Sequence, residues 1–105
     1  MSQPTVRASL HVIHSADPAA QGQAYPIGAD GLTLGREVGN GVVISSDQAS
    51  RRHARILVLG GGHVLQDLDS TNGTFVNSKQ VKEQQLRHGD VVRIASTVMK
   101  YVVEG

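Results

Sequence analysis

The chain has 105 residues, enough for one domain built on one core and too few for a second. Ten Lys and Arg stand against nine Asp and Glu, so there is no basis for broad attraction to a nucleic-acid backbone, and any anion site must be local. With no cysteine, disulfides, thiol catalysis and cysteine-ligated zinc are excluded.

One Phe and two Tyr leave the core to Val, Leu and Ile, a bias toward strands. Apolar and polar residues alternate repeatedly, whereas no twelve-residue window keeps an apolar stripe at helical spacing without Gly or Pro interrupting it. In chain order, Val6, Ala8, Leu10 and Val12 alternate with polar neighbours and predict a first strand, and "DPAAQG" at 17–22 predicts a loop. Further strands are predicted over 23–27, 32–35, 41–44, 53–59, 63–68, 73–76, 91–95 and 97–103. Gly60-Gly61-Gly62 reads as a tight connection between two of them, and Asn72-Gly73 as a short turn supplying positive φ angles. Short strands at this spacing predict an all-β, antiparallel sandwich or barrel, in which alternation of chain direction lets loops several strands apart converge on one end.

The five histidines, at 11, 14, 53, 63 and 88, lack the HExxH spacing of a zinc site, and no metal is expected. No apolar run approaches eighteen residues, and the first fifteen lack a charged start followed by an apolar stretch. The expectation is therefore neither membrane insertion nor a signal peptide, and a cytoplasmic location.

Four stretches carry chemistry: "LGR" at 34–36, "SRRHA" at 50–54, "DLDSTNGTFVN" at 67–77 and "LRHGDVVRI" at 86–94. Singly, each has a plain reading: a solvated charge at a strand end for Arg36, a satisfied core histidine for His53, a turn for Asn72-Gly73. In this order and spacing they resemble the forkhead-associated (FHA) domain family, with its GR, SxxH, S/T-x-NG and LxxGD pattern, over a motif core of about 32–101 within a single domain spanning 1–105.

The resemblance implies an antiparallel β-sandwich of two sheets whose loops at one end bind a peptide carrying phosphothreonine. A phosphate with about −1.5 to −2 charges and three acceptor oxygens calls for a rigid cation and neutral donors. By the family pattern, Arg36 contacts the phosphate, where a guanidinium can donate as a bidentate fork, with Ser50, Arg51 and Thr71 as further phosphate contacts. Arg52 has a weaker claim than Arg51, because alternate residues point to opposite sides. Asn72, able to donate and accept, would hold the peptide main chain. Gly35, His53, Gly73 and Asn77 are expected to support the site, and Asn40, Ser78 and Lys79 to lie in loops that set sequence preference. Ser78 and Ala95 stand where the family often has glycine.

The expected function is non-enzymatic recognition of phosphothreonine-containing protein segments downstream of a Ser/Thr kinase, with no cofactor and no nucleic acid. Two alternatives stand beside it. Ser50, His53 and Asp67 or Asp69 include the residue types of a hydrolytic triad, though without a GxSxG elbow. The module could also dock partners through a sheet face independently of phosphorylation.

Overall fold

The computed structural model describes residues 6–104; residues 1–5 and 105, the ends of the expected domain, lie outside the described residues. Eleven strands occur among the described residues: β1 (Arg7–His14), β2 (Ala24–Pro26), β3 (Leu32–Gly35), β4 (Val42–Val43), β5 (Ala54–Leu59), β6 (Gly62–Asp67), β7 (Thr74–Val76), β8 (Lys79–Val81), β9 (Glu83–Gln85), β10 (Val91–Ile94) and β11 (Thr97–Glu104). They form a six-stranded sheet ordered β2-β1-β11-β10-β7-β8 and a five-stranded sheet ordered β4-β3-β5-β6-β9. All nine strands expected from alternation appear, some with trimmed ends. β8 and β9 were not legible, because "KQV" and "EQQ" are mostly polar and exposed, the composition of edge strands.

The period-two pattern supplies the core. Leu10 and Val12 of β1, Val92 and Ile94 of β10, and Met99 and Tyr101 of β11 face inward from one sheet. Leu34, Ala54, Ile56 and Leu65 meet them from the other. Across this core the His63 Nδ1 lies 2.6 Å from the Tyr101 hydroxyl, with the rings edge to face. The other ring nitrogen, His63 Nε2, is buried and has no hydrogen-bond partner among the described residues.

Turn chemistry agrees with the register. Gly60 and Gly61 both have positive φ between paired Leu59 and Gly62, and Asn77 and Ser78 do the same between Val76 and Lys79. Ser78, at φ 70°, and Ala95, at φ 55°, thus occupy left-handed positions that glycine adopts at lower cost. At Asn72-Gly73 the expectation needs correcting: Gly73 alone of the pair has positive φ, at 91°.

Pairing is antiparallel throughout except between β3 and β4, which run parallel, Leu34 beside Val42 and Gly35 beside Val43. The expected strict alternation of ends fails here. Because β4 runs the same way as β3, residues 36–41 and residues 44–53 both leave their strands at the same end. β5 returns, β6 comes back toward that end, and residues 68–73 open there as a third loop.

Candidate functional site

The end where these loops gather is built outward from Gly35. A Cβ at this position would lie 2.2 Å from the Arg51 carbonyl oxygen, so the absence of a side chain lets the two segments touch. Beyond the strand, Arg36 N–H donates to the Ser50 carbonyl at 3.0 Å and Glu37 N–H to the Arg51 carbonyl at 3.2 Å. Residues 50–53 thereby continue the ladder beside 34–37, and Arg36 and Ser50 become backbone neighbours. The Arg36, Arg51 and Arg52 side chains are exposed. Among the described residues, the arginine side chains that hydrogen-bond to protein are those of Arg55 and Arg93, which leaves the three loop guanidinium groups open to an outside acceptor.

Ser50 has two bonds with separate jobs. Its backbone N–H donates to His53 Nδ1 at 3.0 Å, and its Oγ accepts the Thr71 N–H at 3.1 Å. The hydroxyl proton is left to donate elsewhere. Since Nδ1 accepts, the His53 ring hydrogen sits on Nε2, which donates to the Gly73 carbonyl at 2.8 Å. His53 is fully buried and ties the second loop to the third. The imidazole bonds the backbone of Ser50 rather than its hydroxyl, and none of its hydrogen bonds goes to Asp67; this is not the geometry of a hydrolytic triad.

The third loop hangs on Asp67, whose role as an anchor the sequence reading missed. Its carboxylate accepts the Ser70 hydroxyl at 2.5 Å, the Ser70 N–H at 3.1 Å and the Thr74 hydroxyl at 2.7 Å. Ser70 Oγ in turn accepts the Gly73 N–H at 3.0 Å. Burial pushes the Asp67 carboxyl up, but the Ser70 and Thr74 hydroxyls and the Ser70 N–H, with a smaller contribution from nearby His53, hold it below its ordinary value. Aspartate followed three residues later by serine is a local turn signature that could have announced this anchor. Asn72 donates through Nδ2 to the Gln48 carbonyl at 2.8 Å, joining the third loop to the second and leaving its own Oδ1 as an acceptor. Thr71 and Asn72 are exposed.

Asn40 is also part of this end. Its Nδ2 donates to the carbonyls of Glu37 at 2.8 Å and Arg51 at 2.9 Å, so its amide braces two loops. Asn77, Ser78 and Lys79 are elsewhere. They form the β7–β8 turn at the far end of β7, about 10 Å along the strand from Gly73. There Asn77 Nδ2 donates to Asp90 and its Oδ1 accepts the Val91 N–H, beside a groove of about 400 Å³ lined in part by Lys79 and Arg87. No group of three or more His, Asp or Glu capable of holding a metal occurs among the described residues. Nor is any helix among them long and apolar enough to cross a membrane.

A two-sheet sandwich whose loops at one end are locked together by buried polar bonds, with exposed arginines above them, defines a loop-presenting recognition domain. The FHA domain family model matches residues 32–95, and the chain belongs to that family. It is 32% identical over 95 residues to the transcriptional regulatory protein EmbR of Mycobacterium tuberculosis, covering 90% of this chain and 24% of EmbR. EmbR solved in complex with a low-affinity phosphopeptide superposes with a TM-score of 0.84 at 33% identity, over 98% of this chain and 26% of that one. An FHA domain from a study of phosphothreonine-dependent FHA interactions gives a TM-score of 0.82 at 30% identity, over 94% and 98% of the two chains. This chain thus spans about a quarter of the length of EmbR.

Proposed function

We propose that this domain is a recognition module, without catalytic activity, that binds protein segments carrying phosphothreonine. Arg36, Ser50, Arg51 and Thr71 hold the phosphate in this reading and Asn72 holds the peptide main chain. The observation that carries it is a pair of hydrogen bonds, Arg36 N–H to the Ser50 carbonyl and Thr71 N–H to Ser50 Oγ, which make three of the four proposed phosphate contacts immediate neighbours. Their backbones are fixed relative to one another before any ligand arrives, so binding has chiefly exposed side chains left to order. EmbR's phosphopeptide complex supports the same ligand class.

In this role the guanidinium of Arg36 supplies charge and a bidentate fork, and the Ser50 hydroxyl, with its oxygen fixed by Thr71, donates its remaining hydrogen to a phosphate oxygen. Asn72 Oδ1 accepts a peptide N–H while its Nδ2 stays on Gln48. A Ser/Thr kinase acts upstream, the domain is one unit over 1–105, and its location is cytoplasmic; these belong to the same proposal.

Calorimetric titration with one peptide in phosphothreonine, phosphoserine and unmodified forms, drawn from a degenerate pool, tests it. Binding confined to the phosphothreonine form and weakened in Arg36→Ala is the expected result. Equal binding of unmodified peptide would replace this reading with phosphate-independent docking.

A further inference from the structure

The sandwich is open along its β8–β9 side. Val81 stands opposite Thr74 and Gln84 opposite Leu65, and since Thr74 and Leu65 are fully buried, both partners occupy the register that faces inward. Val81 is nevertheless only partly buried, and Gln84 is exposed. β8 and β9 are the last strands of their sheets, and residues of both, with the turn before β10, line the groove of about 400 Å³. Val76 and Val81 give it an apolar wall.

Its charges are unbalanced. Lys79 opens β8 and Arg87 precedes β10, and both side chains are exposed at the groove. The one carboxylate among the lining residues, Asp90, is engaged elsewhere: one oxygen accepts the Asn77 amide at 3.0 Å and the other the Arg87 backbone N–H at 2.8 Å. These bonds, with Asn77 N–H to the Val91 carbonyl at 2.8 Å, fix the two cation-bearing segments against each other. Among the described residues, neither the Lys79 ammonium nor the Arg87 guanidinium has a hydrogen bond or a carboxylate partner.

We propose that this groove is a second binding site, one that takes an acidic protein segment: its carboxylates meet Lys79 and Arg87, and an apolar side chain beside them covers Val76 and Val81. Charge complementarity sets the sign of the ligand. The apolar wall and the open strand edges favour a peptide over a free anion, because the outer sides of β8 and β9 carry no neighbouring strand and a chain lying along the groove can use their backbone groups. The volume falls within the roughly 300–1,000 Å³ of ligand pockets, room for a few side chains. Since the groove lies at the far end of β7 from Arg36 and Ser50, the site works without the phosphate contacts and does not rest on the phosphothreonine reading.

Two pools of acetylated, amidated hexapeptides test it by amide NMR titration. One fixes Glu in the third place beside a mixture of Val, Leu and Phe in the fourth, with uncharged residues elsewhere; the other has Gln in place of Glu. The wild type is expected to shift at residues 76–81, 84 and 87 and to bind the Glu pool about fivefold more tightly than the Gln pool. The double variant Lys79→Gln with Arg87→Gln, altered only at exposed side chains and verified as folded by its amide spectrum, should lose that advantage, whereas Arg36→Ala should respond like the wild type. A Glu pool that leaves the groove unshifted, or that binds the double variant as well as the wild type, would overturn the proposal. So would sodium phosphate shifting the same residues as strongly as the peptides at equal concentration, which marks a contact for simple ions. Phosphothreonine peptides report on the loop end separately, so the phosphothreonine reading stands or falls independently of these outcomes.

Discussion

Ser50 Oγ accepts the backbone N–H of Thr71 at 3.1 Å, joining two loops whose residues lie 21 positions apart. Ser50→Ala removes this acceptor and the hydroxyl donor together. Stability should fall by about 1 kcal/mol, seen in urea denaturation, and affinity for a phosphothreonine peptide by about tenfold, seen by calorimetry.

Arg36→Ala should separate binding from folding. The side chain is exposed, so the melting temperature should not move, while loss of charge-assisted bonds lowers affinity by about ten- to a hundredfold. Arg36→Lys should recover only part of this, because an ammonium cannot form the bidentate fork. Calorimetry beside thermal unfolding checks both statements.

Asp67 controls the third loop through its charge. The folded-state carboxyl titrates below its ordinary value of 3.8, so its contribution is complete above that pH and is lost as pH falls through the lower folded value. Asp67→Asn, which turns an amide group toward the Ser70 N–H in place of an acceptor, should cost about 1 to 2 kcal/mol at neutral pH and make acid unfolding less steep. Urea titrations from neutral pH into the acid range read both effects. The same variant should weaken peptide binding, since Thr71 and Asn72 sit on the loop it anchors.

His63 gives a second and separate pH effect. Burial lowers its pKa beneath the ordinary 6.5, so below that pH the unfolded chain takes up the proton first and stability declines, while above it stability is level. The pair His63→Leu with Tyr101→Phe removes an orphaned Nε2 and its partner hydroxyl at once. It should be neutral or stabilising at pH 7 and should reduce the decline just below 6.5, whereas Tyr101→Phe alone leaves the imidazole with neither bond and destabilises. Denaturation curves between pH 5 and 8 distinguish these outcomes.

Much of the sandwich was legible because strand alternation is a local property: Leu10 and Val12, or Val92 and Ile94, announce an inward face wherever they occur. The edge strands Lys79–Val81 and Glu83–Gln85 bury little, so burial left no pattern to read. Candidate site residues, and His53 as a support tying loops together, were named through ordered motifs, but the partners that hold them were not. His53 bridging Ser50 to Gly73, and Asn40 bracing Arg51, are contacts between distant segments with no signature in either segment alone. Ser78 and Lys79 illustrate the reverse: close in sequence to Asn72, they are carried to the far end by the short strand β7, whose direction no single residue encodes.

The lone parallel pair, β3 with β4, sets the parity of the chain. In a simple up-and-down order each loop opens opposite to the one before it, and Arg36 and Ser50, on successive loops, would stand at opposite poles. One unreversed step, six residues long and returning to a strand of only two, cancels that opposition. β4 touches β3 only through Leu34–Val42 and Gly35–Val43, beside the end where the loops gather, so the chain doubles back there without crossing the length of the sheet and the 44–53 segment sets out next to the 36–41 segment it must meet.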